Sequence, residues 1–154
     1  MGLSFIFCAG SQTDDTKNML DALEAADYQT LNQRMARKAD FSLHLIPRDL
    51  QTLSECATAF SSHKAVPFRE GLTCYFDAED RGFFIVSEEW EQYIAAIDLQ
   101  KANALTEAWF QAMRAYDPEV KSPPPEAVAA VKDLIELCQY AGQTGKPVVH
   151  IWTA

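Results

Sequence analysis

Residues 72–87 read LTCYFDAEDRGFFIVS. Two runs rich in aromatic and β-branched residues flank the short acidic stretch AEDR, which is the pattern of strand, turn and strand. This hairpin constrains the fold more than any other segment, because it rules out an all-helical chain and makes part of the sheet antiparallel. The rest of the chain must build around it.

Three further strands and several helices follow from periodicity. The strands are expected near residues 3–8, 41–46, 72–77, 82–86 and 147–153. LSFIF is a short apolar run, FSLHLI alternates through Ser42 and His44, and KPVVHIWT closes the chain. About five or six helices lie between them. In the first, Ser11 or Thr13 is the expected N-cap, with Asp14 and Asp15 in the first turn. DYQTLNQRMARKA reads as a second helix, on the spacing of Tyr28, Leu31 and Met35. Pro47 opens a helix with Leu50 and Leu53 on its buried face. Ser87 caps another that carries Trp90, Tyr93, Ile94 and Ile97. Leu105, Trp109, Met113 and Tyr116 form the next stripe. The last proline of SPPPE starts a helix lined by Val131, Leu134, Ile135 and Cys138, with Gly142 as its stop.

The helices come in consecutive pairs rather than one per strand, which favours α+β over a doubly wound parallel sheet. The proline run does not divide the chain, since the segment beyond it is too short to form its own core. A single α+β domain over residues 1–154 is therefore expected.

Charge narrows the partners. The chain carries 22 acids and 13 bases, a formal charge of −9. That argues against nucleic acid and against an anionic membrane surface, both of which require a basic face. No apolar run approaches the roughly 20 residues that span a bilayer. The opening MGLSFIFCAGSQTDD has no basic n-region, so a cytoplasmic location is expected. The four cysteines, Cys8, Cys56, Cys74 and Cys138, are scattered among apolar neighbours with no paired spacing. They read as reduced core thiols.

Asp77–Glu88 nearly spells a calcium loop. Asp77, Glu79, Gly82 and Glu88 fall where an EF-hand has two acids, its turn glycine and its final glutamate. However, Arg81 stands at a ligand position and the preceding segment reads as a strand. A hairpin turn followed by a capped helix explains the residues without metal, with Gly82 supplying a positive φ. No cofactor or metal is expected.

FIFCAGSQTDD lacks the glycine spacing of a phosphate loop, and Asp14 and Asp15 would repel phosphate. Cys8 there reads as a strand-end core thiol. His44, His63 and His150 are the only histidines, and none has a local partner that singles it out. His150, between Val149 and Ile151, reads as structural. No catalytic residue is assigned.

The expected function is a non-catalytic protein-binding protein. Its most concrete form is an acidic inhibitor of the immunity type, neutralising a basic partner such as a toxin in a bacterial pair. Asp77, Glu79, Asp80, Glu88, Glu89 and Glu91 are the expected contact residues, brought onto one edge by the hairpin turn and the next helix start. One alternative is a small cytosolic hydrolase or transferase using Cys8 or a His–carboxylate pair. The other is a structural, oligomer-forming protein.

Overall fold

The structure, a computed structural model, describes residues 3–154. It is α+β, with six α-helices and one five-stranded antiparallel sheet. The strands are β1 (Ser4–Ala9), β2 (Arg37–Asp40), β3 (Leu72–Asp77), β4 (Arg81–Val86) and β5 (Val149–Thr153). Their order across the sheet is β2-β1-β5-β4-β3. The last strand of the chain thus inserts beside the first, between β1 and the hairpin.

Helices cover both faces of this sheet. On one face lie α1 (Asp15–Glu24) and α2 (Tyr28–Arg34). They enclose a small core of Cys8, Met19, Leu23, Leu31, Phe83, Val149 and Ile151. On the other face lie α3 (Pro47–Cys56), α4 (Glu88–Ala95), α5 (Ala102–Arg114) and α6 (Pro125–Thr144). They form the main core with Phe5, Phe7, Phe41, Trp90, Tyr93, Trp109 and Ile135. Period-two alternation explains the division: Phe5 and Phe7 point one way, while Ile6 and Cys8 point the other.

Three core aromatics also lock their polar groups to α3. Trp90 donates to Ser54 Oγ at 3.0 Å, Tyr93 to the Ser54 carbonyl at 2.6 Å and Trp109 to the Asp49 carbonyl at 2.8 Å. Paired in this way, the aromatics add directional contacts to the apolar burial. Among the described residues, no helix is long and apolar enough to cross a membrane.

Several elements match their sequence signals. Ser87 caps α4 by accepting from the Trp90 N–H, and Pro47 and Pro125 are the first residues of α3 and α6. Others do not. The strand expected at 41–46 is instead β2, four residues earlier, and the second helix ends at Arg34 rather than running on through RMARKA. β2 pairs only with β1, Ala9 to Arg37 through Ile6 to Asp40. An edge strand is held by its backbone and tolerates exposed Arg37, Lys38 and Asp40, charges that also deter unwanted strand addition. The alternation in FSLHLI has a different cause. Phe41 and Leu45 plug the core from an irregular loop in which His44 takes φ 60°.

The start of α1 also differs from expectation. Neither Ser11 nor Thr13 caps it. Asp15 is buried, and its Oδ2 accepts from the Ser11 and Gln12 N–H groups at 2.9 and 2.8 Å. Those bonds, the Gln12 one foremost, hold its carboxyl below the usual carboxylate value, with Arg34 3.5 Å away. α6 runs past Gly142 and ends at Gly145, whose φ of 72° is the left-handed conformation that closes a helix.

Candidate functional site

The near-calcium segment is a hairpin and not a loop between helices. β3 and β4 pair from Leu72 with Val86 to Asp77 with Gly82, with a bulge between Cys74 and Phe76. Gly82 does not supply a positive φ. It lies within β4 beneath Trp152, where a Cβ would stand 2.1 Å from the indole nitrogen. Glu88 begins α4 at the far end of β4. At about 3.3 Å per strand residue, it is about 20 Å from the turn. That distance splits the six expected partner-binding acids. Asp77, Glu79 and Asp80 are exposed at the turn, while Glu88 and Glu89 are exposed at the opposite end of the sheet.

Glu91 is not a surface residue at all. It is 5% exposed, and its Oε1 accepts from the Val148 N–H at 2.9 Å, closing the approach to β5. Burial raises its pKa, the Val148 bond opposes this, and Glu88 adds to it. The expectation that one edge gathers all six acids is therefore corrected.

A different gathering takes its place, and Arg81 makes it. Its Nε donates to the Leu23 carbonyl and its Nη2 to the Glu24 carbonyl, both at 2.8 Å. Its Nη1 meets Asp80 Oδ1 at 2.7 Å. The guanidinium thus joins the C-terminal end of α1 to the hairpin turn. Free carbonyls and the negative end of the helix dipole favour a cation there. The end of α1 that carries exposed Glu24 thus meets the turn that carries Asp77, Glu79 and Asp80. Two acid clusters separated by some fifty residues become neighbours around one cation whose donors are already engaged.

Among the described residues, no cysteine is hydrogen-bonded to a histidine. Cys8 faces α1 and is wholly buried, 3.9 Å from Met19 Sδ. Burial pushes its thiol up to about 12. His150 faces the other side of the sheet, so the two cannot meet. Cys138 is buried and Cys56 half-buried, but Cys74 is exposed, so not all four thiols are core. His44 is exposed, and His63 places Nδ1 3.1 Å from the Lys64 carbonyl. Neither sits against a carboxylate.

His150 is the residue whose setting the local sequence conceals. It lies in a cross-sheet row with Phe7 on β1 and Phe84 on β4. Its ring stacks on Phe7 at 4.5 Å between centroids and meets Phe68 edge-on at 5.5 Å. Its Nδ1 is buried with no hydrogen-bond partner. Burial lowers its pKa to about 4, against a smaller opposing effect of the Ile6 backbone. The ring is therefore neutral at pH 7. It lines a cavity of about 260 Å³ with Phe5, Phe68, Leu72, Phe84 and Trp152, between the open end of the sheet and α3. The one available signal was the alternation in VVHIWT, which puts His150 and Trp152 on the face opposite Val149 and Ile151.

No family model, curated protein or solved structure matches this chain.

Proposed function

We propose that this chain is a non-catalytic protein-binding protein that takes a basic partner on the edge formed by the β3–β4 turn and the end of α1. The observation that carries the reading is the placement of Arg81. Its guanidinium binds the Glu24 backbone carbonyl and the Asp80 carboxylate, and Asp77 and Glu79 are exposed at the same turn. On α1 the nearest cation to Glu24 in sequence is Lys17, seven residues and about two turns back. On a chain of net charge −9, a local excess of carboxylates attracts a basic surface and raises the encounter rate. The most concrete form of this reading is an inhibitor of the immunity type that neutralises a basic protein.

The test begins with a pull-down from the native host and identification of the bound protein. Its association with the chain is then followed by stopped flow across salt. Replacing Asp77, Glu79 and Asp80 with Ser slows association about tenfold at low salt and flattens its salt dependence. Replacing Glu88 and Glu89, at the other end of the sheet, leaves both nearly unchanged. Equal rates for wild type and the triple variant at every salt concentration would remove the basis of the proposal.

A further inference from the structure

The His150 cleft lies on the opposite face of the sheet from α1 and carries a separate argument. Its walls are the rings of Phe5, Phe68, Phe84 and Trp152 and the side chain of Leu72. Among the described residues, Arg69 is the only charged one that lines it, and it is exposed. Arg69 also lines the adjoining wider groove of about 680 Å³, together with Arg48, whose guanidinium lies 3.8 Å over the Tyr116 ring. Among the described residues, the side-chain ion pairs are Arg34–Asp15 and Arg81–Asp80. Neither Arg48 nor Arg69 is in an ion pair, although Glu55 and Glu70 also line the wider groove.

An apolar cleft with an exposed arginine at its rim defines a ligand chemistry. Hydrocarbon is favoured against the aromatic walls. An arginine fork binds a carboxylate through two parallel N–H groups. The volume is below the roughly 300–1,000 Å³ of sites for drug-sized ligands, so the occupant is small. We infer that this cleft binds a small amphipathic carboxylate, alkyl or aryl, with its hydrocarbon against Phe84 and Trp152 and its acid group at Arg69. A neutral hydrocarbon would leave Arg69 unused, and an amine would meet it with like charge.

Calorimetric titration with octanoate, octanol and octylamine is the direct test, with Trp152 fluorescence as a second readout. Octanoate binds tightest of the three. From butanoate to octanoate, affinity rises about fourfold per methylene, the factor expected for each buried CH₂. Arg69→Gln, at an exposed site without an ion pair, folds as wild type and loses about tenfold for octanoate but little for octanol. Leu72→Trp fills the cleft and abolishes binding of both, while a urea melt reports whether it folds. Octanol binding as tightly as octanoate, with no effect of Arg69→Gln, would overturn the carboxylate assignment. Preference for the amine, or no binding by any of the three, would overturn the inference entirely.

Discussion

Arg81→Met removes the clamp between α1 and the hairpin while nearly conserving side-chain length. Wild type makes two charge-assisted bonds to the Leu23 and Glu24 carbonyls, and the Arg81 side chain is only 18% exposed. Such bonds contribute about 1.5–3 kcal/mol each. The Asp80 pair adds little, because that carboxylate is 60% exposed. The lower end of the range applies to partly solvated groups, so two bonds give about 3 kcal/mol. With a urea slope near 2 kcal/mol per molar, the midpoint falls by about 1.5 M. Removal of the cation also leaves Glu24, Asp77, Glu79 and Asp80 to repel one another. Part of the deficit is therefore recovered at about 1 M salt, where screening acts within about 3 Å. Arg81→Lys falls between the two, since an ammonium cannot fork across two carbonyls. Urea denaturation of the three proteins at low and high salt measures all of this. A midpoint shift below about 0.3 M for Arg81→Met, or one insensitive to salt, would refute the clamp and the crowding of acids around it.

Three further outcomes follow from the same structure. His150 has a folded pKa near 4 and an unfolded value near 6.5, so the unfolded chain binds the extra proton between them. Its contribution to stability is full above about pH 6.5 and lost as pH falls toward 4, amounting to about 2 kcal/mol by pH 5. His150→Phe removes that loss in urea melts compared at pH 7 and pH 5, and an unchanged pH dependence would contradict the neutral, buried ring. Gly82→Ala forces the Trp152 indole aside, since the new Cβ would lie 2.1 Å from its nitrogen. It costs about 1–3 kcal/mol with a change in Trp152 emission, whereas an unaltered melt would show that the indole yields freely. In the native protein a thiol reagent modifies Cys74 quickly and leaves Cys8 and Cys138 untouched until urea is added, when all four react. Rapid reaction at Cys8 would contradict its burial and raised pKa.

The sequence by itself determined the elements whose signals are local. The hairpin at 72–86, the Ser87 cap and the helix starts at Pro47 and Pro125 depend on residues a few positions apart, and the structure has them where periodicity and capping put them. The stripe of Leu105, Trp109 and Met113 is also buried as its spacing implies. Alternation alone misled at 41–46, because Phe41 and Leu45 are buried from a loop, while the true edge strand RKAD is held by backbone bonds that leave no apolar trace.

Only the tertiary structure decided the site. Asp80 and Glu24 lie far apart in the chain, and what joins them is one guanidinium reaching two carbonyls, a bond between a side chain and distant backbone that no residue pattern encodes. Glu88, Glu89 and Glu91 are near Asp77 in sequence, yet a strand extends about 3.3 Å per residue and carries the first two to the opposite end of the sheet, while Glu91 turns inward to the Val148 N–H. His150 shows the same rule. Val149 and Ile151 beside it belong to the α1 face, whereas its real surroundings, Phe7, Phe68 and Phe84, arrive from two other strands and the loop after α3. Side-chain alternation sends adjacent residues to opposite faces and sheet pairing brings distant ones together, so the chemistry of this chain is set by strand order more than by sequence proximity.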